Sequence, residues 1–145
     1  MAERIRWLIE DRVIWITPRS NTTIQDLKED NAWIVEMIRH GFSRTELPVH
    51  VIIDGEKMDS QPSPLEARKV LTHLSEPGLG YRVMAGTGNP TLHFFANFVG
   101  TINPEASLIF PTIGQALSVL CRKDDTLPDL MPILREQQDA DHRED

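Results

Sequence analysis

The sequence contains little of what disulfide-bonded, membrane-spanning or nucleic-acid-binding proteins need. Its 145 residues include one cysteine, Cys121, which excludes a disulfide within the chain and favours a reducing compartment. No apolar run approaches the roughly 20 residues that cross a bilayer, and residues 1–6 lack the apolar stretch of a signal peptide. A net charge of −7 opposes binding to phosphate backbones. We therefore expect a cytoplasmic protein with no nucleic-acid partner and no membrane insertion.

The composition predicts one globular domain followed by an acidic tail. Hydrophobic residues make up 40% and charged residues 26% of the chain, which are ordinary fractions for a folded domain. We place an α/β domain at residues 1–121 and a tail at residues 122–145. Within the tail, residues 127–134 are apolar enough to pack as an irregular strap, whereas residues 135–145 are expected to be disordered.

The first two strands are predicted to form a β-hairpin. Apolar and polar residues alternate over residues 5–9 and 13–17, on either side of a polar turn. A three-residue loop places Ile9 opposite Val13, and Trp7 opposite Trp15. The two tryptophans then share one face, where they either pack beneath a helix or form an aromatic contact patch for a partner.

Helices are predicted from capping residues followed by a 3.6-residue apolar period. A Ser or Thr followed three residues later by Glu or Gln forms a capping box, and three such pairs occur: Thr22 with Gln25, Ser63 with Glu66, and Thr112 with Gln115. The first helix is expected to end at His40, with Gly41 after it. A further helix is expected to start at Asn89, with Pro90 in its first turn, and to end near Gly100.

Short β-branched runs at residues 49–53, 81–85 and 107–110 alternate with these helices. The resulting order is β-β-α-β-α-β-α-β-α. Alternating strands and helices predict an α/β layer fold with a mostly parallel sheet and right-handed crossovers. The N-terminal strand is expected to be the antiparallel exception.

The loop at residues 54–63 is a first candidate site, because ligands of open α/β sheets usually bind where parallel strands end. It offers three carboxylates and two serines, Ser60 and Ser63. A phosphorylation switch and a site for a hard cation are two interpretations, although the spacing fits no standard calcium loop. The alternative is a solvated turn with a serine helix cap.

A second candidate is the loop at residues 86–89, which follows a strand and precedes a helix. Its residues resemble an anion-binding phosphate cradle: Gly86, Thr87, Gly88 and Asn89. The third glycine of a dinucleotide fingerprint and the lysine of a Walker loop are both missing. A tight turn with an asparagine cap is therefore the alternative interpretation.

Three phenylalanines, Phe94, Phe95 and Phe98, crowd the helix that follows this loop. Phe94 and Phe95 are adjacent, so the aromatic side chains cover more than one face. The helix is therefore either deeply buried or lines an apolar pocket for a small ligand or lipid.

No catalytic or metal-binding motif is present in the sequence. Both Gly-x-Ser-x-Gly and His-Glu-x-x-His are missing. The histidines are scattered, and His73 with Glu76, one helical turn apart, is interpreted as a surface contact. Cys121 is interpreted as a small residue at the edge of the core. We therefore expect a protein that is not an enzyme and that has no cofactor and no metal.

The order of elements resembles STAS-like domains, which include the bacterial anti-sigma-factor antagonists and the cytoplasmic domains of sulfate transporters. The resemblance runs over residues 4–121. It is carried by the hairpin with its capped helix, the strand at residues 49–54, and the closing run Leu-Ile-Phe-Pro-Thr-Ile-Gly-Gln-Ala-Leu at residues 108–117. The chain is most similar to the small standalone branch related to both STAS and CRAL-TRIO lipid-binding domains.

The resemblance implies a non-catalytic regulatory or scaffolding module that acts through protein contacts. In the antagonists a loop with Asp-Ser-Ser/Thr-Gly carries the phosphorylated serine; Asp59 and Ser60 match its first two positions, and Gln61 and Pro62 replace the others. A homodimer through the sheet face or edge that bears Trp7 and Trp15 is one expected form of such contacts. The lipid-binding relatives imply the alternative, a carrier of a small apolar ligand or lipid.

Overall fold

The secondary structure follows the order that the sequence predicts, with one helix added at the C-terminus. The structure is a computed structural model that describes residues 4–88 and 90–143. Its strands are β1 (Ile5–Ile9), β2 (Val13–Ile16), β3 (Val49–Asp54), β4 (Leu79–Ala85) and β5 (Ser107–Phe110). Its α-helices are α1 (Ile24–Thr45), α2 (Pro64–Val70), α3 (Pro90–Gly100), α4 (Ile113–Lys123) and α5 (Leu130–Arg143), with 3₁₀ helices at Gly55–Lys57 and Thr72–Ser75. Within the described residues, no helix combines the length and apolarity needed to span a membrane.

The five strands form a single sheet in the order β1-β2-β3-β4-β5. β1 and β2 are antiparallel, whereas each later pair of neighbours is parallel. The predicted α/β fold, with an antiparallel N-terminal strand on a parallel sheet, is therefore confirmed.

Each face of the sheet is covered by its own set of helices. The first face, toward which Ile14 and Val51 point, packs against α1, α2 and α3. The second face, toward which Val13 and Ile52 point, packs against α4 and α5. Because side chains alternate along a strand, apolar residues at consecutive positions fill two separate cores.

The β1–β2 pair contains an irregularity that separates the two tryptophans. Ile9 pairs with Val13 as predicted, but the register shifts between Trp7 and Ile9, so that Trp7 pairs with Ile14. A bulge of this kind reverses the alternation of side chains beyond it. Trp7 consequently packs against the core of the first face, whereas Trp15 is buried in the core of the second. The prediction that they share a face is wrong.

Helix α1 is capped one residue later than predicted. The Thr23 hydroxyl accepts a hydrogen bond from the Asp26 backbone N–H at 3.1 Å, and the Asp26 carboxylate accepts one from the Thr23 N–H at 3.0 Å. This reciprocal pair is a capping box whose second member is Asp rather than the expected Gln, so Thr22 is not the cap. At α4 the predicted cap is present, since Thr112 accepts from the Gln115 N–H at 3.2 Å.

Helix α1 also continues past its predicted end at His40. Gly41 lies inside the helix, and a Cβ there would approach the Asp11 carbonyl oxygen to 2.6 Å. The glycine therefore allows the helix to pack closely on the β1–β2 turn rather than ending it. The left-handed residue that follows α1 is Glu46, with a φ of 59°.

Helix α5 occupies the segment predicted to be an irregular strap and a disordered tail. The backbone is helical over Leu130–Arg143, which corrects the expectation of disorder for residues 135–143. Leu130 and Leu134, one turn apart, are both buried in the core of the second face. Pro132 does not prevent the helix because it lies in the first turn, where its missing N–H has no helical partner.

Candidate functional site

A chain of buried polar side chains crosses the core on the first face of the sheet. His73, in the 3₁₀ helix Thr72–Ser75, and Arg82, in β4, are 1% and 5% exposed. The Arg82 Nε–H donates to His73 Nε2 at 3.1 Å, and His73 Nδ1 lies 2.8 Å from Asn31 Oδ1. Asn31 Nδ2 in turn donates to the Thr72 hydroxyl at 2.8 Å. These four side chains form one connected hydrogen-bond chain between α1 and β4.

The hydrogen bonds of His73 determine its protonation state. Because Nε2 accepts from Arg82, it carries no proton, and the ring proton lies on Nδ1, which donates to Asn31. Burial and the neighbouring guanidinium lower the pKa of His73 well below 6.5. His73 is therefore a neutral imidazole.

Among the described residues, Arg82 is a buried cation that forms no salt bridge with a carboxylate. Burial lowers its pKa to about 10, so that the guanidinium is still charged at neutral pH. Within residues 4–88 and 90–143, its side chain makes a single hydrogen bond, through Nε to the neutral His73. Removing a charge from water without a counter-charge costs several kcal/mol of folding free energy. The two terminal nitrogens make no hydrogen bond to a described protein group, and neither is fully sealed from solvent.

Arg82 lines a cavity of about 40 Å³ whose walls are mostly apolar. The apolar lining includes Ile16, Leu27, Ile34, Ile53, Met84 and Phe95. Pro18, Leu27 and Asp30 lie at its half-exposed end, whereas His73 and Arg82 form its buried end. A cavity of this size holds a few waters or a small organic group, but no extended acyl chain.

The phenylalanines of α3 differ in their relation to this cavity. Phe95 is buried and lines the cavity. Phe94 is 63% exposed, and its ring lies 6.3 Å from the ring of Phe98. The guanidinium carbon of Arg68, on α2, lies 5.4 Å above the Phe98 ring. The helix is thus buried along one side and presents an aromatic surface with a cation along the other.

A second buried histidine, His50 in β3, lies on the second face of the sheet. Its Nδ1 accepts from the Tyr81 backbone N–H at 2.9 Å, and its Nε2–H donates to Asp124 at 2.7 Å. Arg12 also donates to Asp124 at 2.7 Å and to the Thr126 hydroxyl at 3.0 Å. The network joins the β1–β2 turn, β3 and the connection between α4 and α5.

Asp124 is the charged centre of this network. Burial raises its pKa, but hydrogen bonds from Thr126 and His50 outweigh that effect and lower the pKa to about 2. Desolvation lowers the pKa of His50 despite the neighbouring Asp124. An open cleft of about 480 Å³ adjoins His50, yet both ring nitrogens are engaged within the protein. His50 therefore has no free lone pair with which to act as a general base.

The two predicted phosphorylation sites lie in the loop after β3. Ser60 is exposed, and its hydroxyl donates to Asn21 Oδ1 at 3.0 Å, in a segment that forms an isolated bridge to residue 21. Ser63 is exposed at the N-cap of α2 but makes no side-chain cap hydrogen bond there. In the described part of the chain, no three His, Cys, Asp or Glu side chains are grouped to hold a metal ion. Modification of either serine stays a prediction.

The loop predicted to cradle an anion connects neighbouring strands through Thr87. Gly86 has a φ of +79°, and a Cβ there would lie 2.3 Å from Glu56 Cγ, so the position requires glycine. The buried Thr87 hydroxyl donates to the Phe110 carbonyl at 3.2 Å. Asn89 lies outside the described residues. Thr87 thus joins the ends of β4 and β5, and its hydroxyl is not free to donate to a phosphate.

The predicted tryptophan patch does not form. Trp15 is 5% exposed and its indole N–H donates to the Thr17 hydroxyl at 3.2 Å, while Trp7 is half-buried on the opposite face. The exposed tryptophan is Trp33, on α1, at 57%.

Sequence reasoning missed the Arg82–His73 chain. His73 was expected to contact Glu76 at the surface, but Glu76 pairs with Arg39 at 2.7 Å and His73 points into the core. One feature of the sequence indicated that the Arg82 side chain is buried. Arg82 is two residues from Met84 within an otherwise apolar strand, which places both side chains on the same buried face.

No protein-family model matches this sequence, and a search of curated proteins returns no match. The resemblance to STAS-like domains therefore stays a prediction.

Proposed function

We propose that this chain is a non-enzymatic, STAS-like regulatory or scaffolding module that binds a protein partner through helices α2 and α3. The surface in question, called the α2–α3 patch, consists of Leu65, Arg68, Phe94 and Phe98. The observation that carries the proposal is exposure, since Leu65 and Phe94 are each 63% exposed. Large apolar side chains clustered at a surface are typical of interaction sites.

The chemistry of the α2–α3 patch favours one kind of partner. Arg68 lies over the Phe98 ring, and Lys69 follows it on the same helix, so the patch combines aromatic surface with positive charge on a chain of net charge −7. Aromatic residues and arginine dominate the binding energy of protein interfaces. The complementary surface is a partner segment with large apolar side chains flanked by carboxylates.

Self-association fits this patch less well than a different partner. A two-fold interface buries the same patch of both copies, so it would bring two Arg68 side chains and no carboxylate of the patch into one interface. Each copy also carries a net charge of −7, and like charges repel. A homodimer is consequently an outcome that the experiment must distinguish.

The non-enzymatic part of the proposal is supported by the two buried histidines. His50 and His73 have both ring nitrogens hydrogen-bonded within the protein. A general base needs a free lone pair within reach of its substrate. Neither residue provides one.

A second candidate function, a carrier of a small ligand, is favoured by the cavity beside Phe95. Its volume of about 40 Å³ limits the ligand to a few heavy atoms, so an acyl chain does not fit.

The test is selection of phage-displayed random peptides on the full chain, followed by fluorescence polarisation with the purified peptides. We expect selected peptides to combine Asp or Glu with aromatic or leucine residues. The double variant Arg68→Glu/Phe94→Ala should weaken binding at least tenfold, because it reverses the charge and removes an anchor. Trp33→Ala, which removes an exposed aromatic side chain elsewhere, is the matched control and should bind as the wild type does.

Three outcomes would contradict the proposal. These are a failure to select any peptide above background, equal binding by the double variant, and sedimentation of the free chain as a dimer that the double variant converts to a monomer. The last would assign the patch to self-association instead.

A further inference from the structure

We propose that the cavity beside Arg82 is a binding site for a short-chain monocarboxylate, whose carboxylate group pairs with the Arg82 guanidinium. This site lies beneath α1, inside the core of the first face. It shares no residue with the α2–α3 patch, so this proposal does not depend on the proposed protein partner.

The first argument is the unpaired charge. Arg82 is 5% exposed, and its single side-chain hydrogen bond within the described residues goes to a neutral imidazole. The other well-buried arginine of the described residues, Arg12, has a carboxylate, Asp124, at 2.7 Å. Arg12, which only joins elements of the fold, therefore has a counter-charge, whereas Arg82, which faces a cavity, has none among the described residues. A ligand carboxylate would provide the missing charge.

The second argument is that the guanidinium is held in place before any ligand arrives. Its Nε is fixed by His73, which is fixed by two hydrogen bonds to Asn31, from the His73 backbone N–H at 2.9 Å and from Nδ1 at 2.8 Å. Because Nε is occupied, the terminal nitrogens are the remaining donors. Two parallel N–H groups on a rigid plane match the two oxygens of a carboxylate. Such preorganisation reduces the entropy lost on binding.

The third argument is the shape and polarity of the cavity. The volume of about 40 Å³ corresponds to about three water-sized probes, so it accommodates a carboxylate with no more than a methyl group. Walls formed by Ile53, Met84 and Phe95 suit the methyl group. At the half-exposed end, Asp30 would repel an anion, but it forms a bidentate pair with Arg4 at 2.8 and 3.2 Å. The charge at the entrance is thus neutralised.

The experiment is a titration of the full chain with sodium acetate, propionate and butyrate, followed by NMR of the methionine methyl groups. Sodium chloride at the same ionic strength is the anion control. We expect the Met84 methyl resonance to shift saturably with at least one carboxylate and not with chloride. For a ligand of about four heavy atoms, the best attainable dissociation constant is on the order of 40 μM, and any dissociation constant below about 50 mM supports the proposal.

Two variants separate the proposed site from nonspecific effects. Arg82→Gln keeps a donor toward His73 but removes the charge, and it should weaken binding at least tenfold. Leu27→Phe narrows the half-exposed end, leaves Arg82 in place and should also weaken binding tenfold; it decides the question even if Arg82→Gln does not fold. Arg39→Gln, which removes an exposed arginine that does not line the cavity, should bind as the wild type does.

The proposal is overturned by any of three results. The first is the same saturable shift with chloride, which would make the site a general anion site. The second is unchanged affinity in Leu27→Phe or in a folded Arg82→Gln. The third is the absence of a saturable shift below about 50 mM with any of the three carboxylates. A saturable shift that Arg82→Gln and Leu27→Phe both abolish supports it.

Discussion

Replacing His73 with glutamine is expected to remove a specific part of the acid sensitivity of this protein. The glutamine side chain can still accept the hydrogen bond from Arg82 Nε, since its carbonyl oxygen reaches about as far as imidazole Nε2. What it cannot do is bind a proton. The perturbation therefore keeps the contact to the buried cation and removes the titration.

The sign and size of the effect follow from the pKa of His73. Burial lowers the folded-state pKa of His73 well below the unfolded value of 6.5, so the unfolded chain binds a proton that the folded chain does not. The stabilisation is complete above pH 6.5 and is lost as the pH falls below 6.5 toward the folded-state pKa. At pH 5.5 the loss from this one group is about 1 kcal/mol.

Urea denaturation at about pH 7.5 and about pH 5.5 measures this difference. Between pH 7.5 and pH 5.5, the free energy of unfolding of the wild type should fall by about 1 kcal/mol more than that of His73→Gln. Thr72→Val is the control, because it removes the acceptor for Asn31 without removing a titrating group. It should lower stability at both pH values equally.

A wild type and His73→Gln variant with the same pH dependence would refute the reasoning. That result would mean that the imidazole binds a proton in the folded state as readily as in the unfolded chain. The neutral tautomer, and with it the orientation of the Arg82 guanidinium, would then be wrongly assigned. His50 contributes equally to both proteins, so the difference isolates His73.

Two further predictions concern the rest of the sheet. Asp124→Asn should lower the free energy of unfolding by about 2 kcal/mol at pH 7, because the pKa of Asp124 falls from 3.8 to about 2 on folding. Roughly half of that advantage should be lost at pH 3, since a carboxylate with a lowered pKa stabilises the fold above its unfolded pKa, and urea denaturation checks both values. Gly86→Ala should destabilise by more than about 1 kcal/mol in thermal unfolding, because φ is +79° and Glu56 leaves no room for Cβ. An unchanged midpoint would contradict it.

The fold was predictable because its signals are local. The alternation of β-branched runs with capped helices depends on residues within a few positions of one another, as at Thr112 and Gln115. Where the prediction was wrong, the local structure depends on a contact distant in the sequence or on an irregularity of the strand. The bulge between Trp7 and Ile9 moved one tryptophan to the other face, and contact with the turn at Asp11 kept Gly41 inside α1.

The candidate site was less predictable because its residues are distant in the sequence. Asn31, His73 and Arg82 lie on α1, a 3₁₀ helix and β4, and no spacing motif connects them. Helical spacing instead favoured His73 with Glu76, a pair that the 3₁₀ geometry and the burial of His73 do not allow. Only the alternation along β4 indicated that the Arg82 side chain points inward.

The two faces of the sheet differ in whether their buried arginine is paired with a carboxylate, and the difference bears on function. On the second face, Arg12 and His50 both donate to Asp124, so cation and carboxylate cancel and the network joins the fold without needing a ligand. On the first face, the Arg82 guanidinium donates to the neutral His73, and His73 is hydrogen-bonded to the neutral Asn31. These two groups orient the guanidinium without neutralising its charge. A stabilising role alone would favour an apolar side chain of similar volume at position 82. An oriented but uncompensated cation is more useful for holding an anion than for holding the sheet together.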